Sequence, residues 1–242
     1  MISGGRGDIG AATALALQQA GCRVAICDVH TASPREDGLH YHQADVSDEA
    51  AVVGWFDAVE SHFGQPASII VANAAIVSLG DTLSIAVAEW NRTLAVNLTG
   101  AWLTARTGAR RLIARKMPGR IVFVGSWAAH APHVELAAYC TAKAGLRMVA
   151  QSMALELADR GILVNEVAPG FVDAGLSAQF FRSDATLAER SRAVVPNKQL
   201  IGAEEVAHAI AYLCSPQHRN LTGSTLLLDG GLSLRHGQEI RA

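Results

Sequence analysis

Short β-branched runs alternate with longer helix-like stretches from one end of this chain to the other, and few folds accommodate that order. The strand-like runs are Arg23–Cys27, Ser68–Ala72, Arg120–Val124, Ile162–Val167 and Thr225–Leu228. Ile69-Ile70-Val71 and Ile121-Val122-Phe123-Val124 are apolar at successive positions, as strands covered on both faces must be. Between these runs, residues 10–20, 48–63, 101–115, 137–159 and 203–214 carry helical patterning. Gly21 and Gly64 act as stop signals, and Asp48 and Glu49 enrich a first turn. The alternation predicts a doubly wound α/β fold: a parallel sheet with right-handed crossovers inside three α/β/α layers.

No Pro/Gly/Ser-rich linker, internal repeat or low-complexity tract divides the chain, so residues 1–242 are expected to form a single domain. The irregular stretch from Gly170 to about Ile201 breaks the alternation, and residues 171–201 read as a lid inserted over the site. Only Met1 and Ile2 precede Ser3. The strand that should come before the first glycine-rich turn is therefore either very short or cut off. Half of the residues are hydrophobic and 17% are charged, so a core can form without disulfides or metal. With a formal charge of −2 and no Lys/Arg block, nucleic acid is not an expected partner. No apolar run reaches membrane-spanning length and no signal segment opens the chain, so a cytoplasmic protein without membrane contact is expected. Cys22, Cys27, Cys140 and Cys214 show no C-x-x-C spacing and read as reduced thiols rather than metal ligands.

Gly5-Arg6-Gly7-Asp8-Ile9-Gly10 is a G-x-G-x-x-G at the mouth of a helix. Glycines there allow a tight turn and close approach of backbone to a pyrophosphate, which the helix N-terminus favours. Asp28 ends the next strand-like run at the distance where an acid meets the adenosine ribose. A carboxylate accepts from both ribose hydroxyls and repels a 2′-phosphate, so NAD is the expected cofactor. Arg6 pulls the other way, since it can reach a phosphate.

Tyr139 and Lys143 stand at i and i+4, on one face of a helix. A nearby ammonium favours the phenolate, which lowers the tyrosine pKa toward the working pH of a general acid/base. Ser126 follows the run 120–124, where a strand would deliver it to the ligand-binding edge of the sheet.

With these residues in view, the chain resembles a short-chain dehydrogenase/reductase of the classical type over essentially its whole length. Ser3–Gly10 is similar to the family's T-G-x-x-x-G-x-G turn, Asp45-Val46 to its adenine-contacting pair, and Asn73-Ala74-Ala75 to its N-A-G stretch. Asn97 matches the catalytic asparagine, Ser126 stands thirteen residues before Tyr139, and Lys143 completes a tetrad. Pro169-Gly170 resembles the turn beside the nicotinamide, and Asp229-Gly230-Gly231 the closing segment.

The resemblance implies a Rossmann-like fold and hydride exchange between NAD(H) and a secondary alcohol or ketone. Tyr139 would move the proton and Ser126 would hold the substrate oxygen. Lys143 would tune the tyrosine and hold the nicotinamide ribose, while Asn97 would hold a relay water. Ser3, Gly4, Arg6, Asp8, Ile9 and Gly10 would contact the dinucleotide, as would Asp28, Asp45, Val46, Asn73 and Ala74. Tyr139, Lys143, Pro169, Gly170 and Val172 would do so at the nicotinamide end. A homo-oligomer, tetramer or dimer, is implied as well, packed through Ala203–Leu213 and Thr225–Leu228.

Three positions depart from the family pattern. Asp8 replaces its middle glycine, Ala75 the glycine of N-A-G, and Ala174 a threonine that bonds the carboxamide. Asp8 should weaken cofactor binding unless it points to solvent or pairs with Arg6. Trp127 and Phe171, next to motif residues, and His133 are candidate substrate contacts. His130 and His133 otherwise read as exposed loop histidines, not metal ligands. Polar loops suggest a small-molecule substrate such as a sugar or polyol. The alternatives are a 3-oxoacyl-thioester reductase of the acyl-carrier-protein type and a non-catalytic dinucleotide sensor.

Overall fold

The computed structural model describes residues 1–31, 39–176 and 185–234. Seven parallel strands lie in the order β3-β2-β1-β4-β5-β6-β7. They are β1 (Ile2–Ser3), β2 (Ala25–Asp28), β3 (His40–Gln43), β4 (Ile69–Ala72), β5 (Gly119–Val124), β6 (Ile162–Pro169) and β7 (Thr225–Leu228). The chain winds outward from β1 to β3, then crosses back to start the other half at β4. That reversal opens a crevice beyond the C-terminal ends of β1 and β4, the place where open α/β sheets take ligands.

The uninterrupted apolar runs are explained by two cores, one on each face. Along β5, Ile121 and Phe123 pack with Trp55, Phe56, Leu112 and Leu146, whereas Val122 and Val124 pack with Leu17, Ile26, Val206 and Ile210. Successive side chains point to opposite faces, so a strand with helices on both sides needs an apolar residue at every position. The first core lies under α2 (Glu49–Phe63), α4 (Ala101–Ala114) and α5 (Ala137–Leu157). The second lies under α1 (Asp8–Gln19) and α7 (Ala203–Cys214). Asp48 caps α2 by accepting from the N–H groups of Ala50 and Ala51, a contact that stabilises a helix by about 1 kcal/mol.

The first strand has two residues, and Ile2 still pairs on both sides, with Ile26 and Val71. Three elements had no counterpart in the sequence patterning: β3, α3 (Val87–Leu94) and α6 (Ala185–Val194). Between α3 and α4 the helix widens into a π-helical turn, Ala95–Gly100. The first helix begins at Asp8 rather than near residue 10, which makes Asp8 a first-turn acid. The excursion after β6 leaves and returns at one place. Phe171 and Asp173 exchange backbone hydrogen bonds with Ile201, at 2.9 and 2.8 Å. No helix among the described residues is long and apolar enough to cross a membrane.

Candidate active site

A cleft of about 640 Å³ runs across the switch point. The end where an adenosine is expected carries Asp28, the last residue of β2, which the strand delivers to the rim. The Asp28 carboxylate accepts the N–H of Val29 at 2.9 Å and that of Arg6 at 3.2 Å. The Arg6 guanidinium donates to the Thr31 carbonyl at 2.9 Å and lies 5.9 Å from the Tyr41 ring centre. Asp45 and Val46 also line this end. Both Asp45 oxygens have partners: one accepts from the Ser47 N–H and hydroxyl, the other from Arg92 at 2.8 Å. Those hydrogen bonds hold the Asp45 carboxyl below its usual range despite the opposing effect of burial. Arg92 belongs to no sequence motif, yet it lines the cleft beside Asp45.

In the middle of the cleft, Gly4, Arg6, Asp8, Ile9 and Gly10 turn the chain into α1. A Cβ at Gly10 would come within 2.2 Å of the Gly4 carbonyl oxygen, so only glycine lets the turn close on the helix. Among the described residues no side chain caps the start of α1, which leaves its first N–H groups for an anion. Ser3 is buried, and its hydroxyl accepts from the N–H groups of Asn73 and Ala74 at 3.0 and 3.1 Å. It thus acts through the loop that follows β4, whose Asn73 and Ala74 face the cleft. Asp8 is exposed, as one of the two sequence expectations had it, and makes a contact that neither anticipated. Its carboxylate accepts the N–H of Gly175 at 2.7 Å and ties α1 to the segment after β6.

At the chemical end, Ser126, Tyr139 and Lys143 come together with Pro169, Gly170 and Val172. Tyr139 and Lys143 stand one turn apart on α5, with Nζ 5.6 Å from the phenol ring centre. Lys143 is 2% exposed and donates to the Val124 carbonyl at 2.8 Å. Burial pulls its ammonium down to about 8. Burial also pushes the Tyr139 phenol up, and the Ser126 hydroxyl opposes that only in part. In this structure desolvation therefore outweighs the acidifying effect expected from the neighbouring lysine.

Asn97 lies in the π-helical turn, fully buried. Its side chain accepts the Ile76 N–H and donates to the Ile76 carbonyl, both at 2.8 Å, and it makes no hydrogen bond to Lys143. The side chain thus pins the turn to the loop after β4. Ala174 is buried in the cleft wall and offers no hydroxyl.

Trp127, His133 and Phe171 gather beside Ser126 rather than along the main cleft. The Trp127 ring meets His133 and Phe171 edge-on, with centres 4.0 and 5.3 Å away. His133 is half-buried, not exposed, and burial lowers its pKa. Its Nε2 has no hydrogen-bond partner among the described residues. His130 is exposed as expected, and its Nδ1 contacts Arg147 at 2.8 Å. No group of three or more His, Cys, Asp or Glu among the described residues could hold a metal ion.

Comparison with known proteins agrees with this geometry. Residues 5–233 match a family model described as enoyl-(acyl carrier protein) reductase. The 3beta-hydroxysteroid dehydrogenase 1 of Eggerthella lenta is 38% identical over 195 residues, covering 81% of this chain and 74% of that protein. The 3-oxoacyl-(acyl-carrier-protein) reductase MabA of Mycobacterium avium is 31% identical, covering 98% of this chain and 90% of its own. The aldohexose dehydrogenase of Thermoplasma acidophilum superposes with a TM-score of 0.92 at 26% identity, covering 100% of this chain and 96% of its own. The protein belongs to the classical short-chain dehydrogenase/reductase family, oxidoreductases that act on hydroxyl and keto groups with a nicotinamide dinucleotide.

Proposed function

We propose that this protein interconverts a secondary alcohol and its ketone with NAD(H), using Ser126, Tyr139 and Lys143 to manage the proton at the substrate oxygen. One observation carries the reading. These three side chains converge at one end of a cleft whose other end presents the Asp28 carboxylate.

The residues present fit a dinucleotide. Asp28 would hold the adenosine ribose, the uncapped start of α1 the pyrophosphate, and Tyr139 with Lys143 the nicotinamide ribose. Val46, Asn73, Ala74, Pro169, Gly170 and Val172 would form the walls. Bound there, nicotinamide supplies or accepts the hydride. Tyr139 donates its proton to the oxygen during ketone reduction, and its raised pKa keeps it protonated for that task. In the other direction Tyr139 must ionise. A lysine charge 5.6 Å from the ring centre favours the phenolate by about 3 kcal/mol at an effective dielectric of ~20, or roughly two pKa units. Ser126 donates to the substrate oxygen and stabilises its developing charge. Asn97 acts by fixing the turn beside them, and the relay water expected of it must use groups other than its two contacts with Ile76. Replacing Tyr139 with Phe should abolish turnover while NADH still binds; surviving activity would overturn this reading. A higher kcat/KM with NADP than with NAD would overturn the Asp28 assignment alone, in favour of Arg6.

For the substrate, the Trp127–His133–Phe171 wall suits a ring that lies flat through its C–H face. Cyclic sugars and polyols fit, and the likeness to the aldohexose dehydrogenase supports them. A steroid alcohol fits equally, as the Eggerthella relative suggests. The 3-oxoacyl-thioester alternative draws on the mycobacterial reductase. A dinucleotide sensor would have no use for Ser126, Tyr139 and Lys143. Turnover of cyclic alcohols compared with acetoacetyl thioesters separates these readings. Residues 171–201 would form the lid; of these, 177–184 lie outside the described residues. We also expect a homo-oligomer, tetramer or dimer, because β7 is a half-buried apolar edge strand and Tyr212 of α7 is 53% exposed. The four free thiols fit a reducing compartment such as the cytoplasm.

A further inference from the structure

Behind the chemical end lies a buried acid that the reaction described above does not use. Glu166 stands on β6 opposite Phe123 of β5 and is 1% exposed. Its Oε2 accepts from the Thr225 hydroxyl at 2.7 Å. Its Oε1 has no hydrogen-bond partner among the described residues. That oxygen fills the space a side chain at residue 125 would need: a Cβ on Gly125 would lie 1.8 Å from it. The peptide joining Val124 to Gly125 therefore has two charged neighbours. Its carbonyl accepts from the Lys143 ammonium at 2.8 Å, and the Glu166 carboxyl presses against its Cα side.

We propose that Glu166 is a positioning residue for the reaction, a buried counter-charge that keeps Lys143 in its ammonium form from the far side of the Val124–Gly125 peptide. A lysine so buried should tend to lose its proton, and the desolvation that brings it to about 8 is opposed by one group, Glu166. The acid is in turn pushed up by burial and pulled back by Thr225, Lys143 and Arg147. Among the described residues, the charged and polar groups that face it are Lys143 and Arg147 from α5 and Thr225 from β7; Phe123 of β5 is apolar, and Gly125, just past β5, offers only backbone. Arg147 is already engaged by His130 and by the Ala129 carbonyl, which leaves Lys143 as the cation whose charge the acid can govern. Because the low-dielectric interior screens little, a charge lost from residue 166 is felt at Lys143 on the same face of the sheet.

The inference rests on Lys143 acting as described under the proposed function, and the test separates the two. The pH dependence of kcat for alcohol oxidation is measured for the wild type, Glu166→Gln, Glu166→Asp and Thr225→Val, alongside Lys143→Met. With Glu166→Gln the alkaline limb should move toward neutral pH by roughly one unit. Glu166→Asp, which keeps the charge, should restore most of that shift. Thr225→Val removes the hydrogen bond that favours the carboxylate, so it should move the limb the same way by less; it carries the test if Glu166→Gln fails to fold. A merely structural role would lower the melting temperature and leave the limb in place. An inactive Lys143→Met together with superimposable profiles for Glu166→Gln, or for Thr225→Val in its place, and the wild type overturns the role of Glu166 alone. An active Lys143→Met overturns both.

Discussion

At the adenosine end of the cleft, Asp28, Arg6, Asp45 and Arg92 are half-exposed or exposed ions that already have partners. At the chemical end, Lys143 and Glu166 are 2% and 1% exposed, and Lys143 bonds a carbonyl rather than a carboxylate. One cleft thus holds two electrostatic regimes. Where water screens, a pair such as Arg92–Asp45 contributes about 0–1 kcal/mol and mainly fixes geometry. Where water is excluded, the same kinds of charge shift protonation. Selectivity for the cofactor can therefore change by modest steps at one end, while the chemistry at the other fails abruptly.

The sharpest way to break that contrast is Lys143→Met. Turnover should fall on the order of 10³-fold, yet the fold should not suffer. Moving an ammonium from 10.5 to about 8 costs about 3 kcal/mol at neutral pH, offset in the variant by an unpaired Val124 carbonyl at about 1–3 kcal/mol. A melting temperature unchanged or higher is expected. A clear drop would mean that the buried charge stabilises the fold after all.

The same lysine gives a pH signature. Between pH 8 and 10.5 the unfolded chain carries a proton that the folded chain has released, so this group makes the fold more stable as pH rises through that window. Urea melts of the wild type should gain up to about 3 kcal/mol there relative to Lys143→Met. Parallel curves for the two proteins would remove the desolvated lysine from the account.

Smaller effects belong to the nucleotide side. Gly10→Ala drives a methyl against the Gly4 carbonyl, and about 1–3 kcal/mol of stability should be lost with most of the cofactor affinity. Calorimetric titration with NADH reads the second effect. Asp28→Ser should lower the preference for NAD over NADP about 10-fold, the worth of a charged hydrogen bond; an unchanged ratio would shift the selectivity to Arg6. Asp8→Ala removes one exposed contact to Gly175. KM for the cofactor should rise only a few-fold, and a fall instead would show that repulsion near the pyrophosphate dominates.

What could be read from sequence follows from burial. Runs such as 121–124 announce themselves because each residue faces a core. By contrast, α3 buries only Thr93, and β3, His-Tyr-His-Gln, buries nothing fully. With no apolar stripe there is no period to detect. The residues proposed to handle the proton were legible because spacing on a helix fixes Tyr139 against Lys143. Asp8, Arg92 and Glu166 were not, since their partners lie 167, 47 and 59 residues away in the chain. Glu166 looks like the one polar residue of an otherwise apolar strand, and only the packing of Gly125 shows where its carboxyl goes.

The π-helical turn sets a limit on insertion and deletion in this region. One residue more or less in a regular helix offsets everything downstream by about 100° around the axis, whereas a π-helical turn takes up one residue within itself. Removing one residue from Ala95–Gly100 and closing it to a regular spiral would therefore keep the phase of α4, with Leu103 and Leu112 still in the core. The local register would be lost instead: Asn97 would leave Ile76, and Gly100, whose missing Cβ leaves room for Val46 at 2.7 Å, would shift against the cleft wall. A second deletion would have no wide turn to absorb it and would swing those leucines away from the sheet.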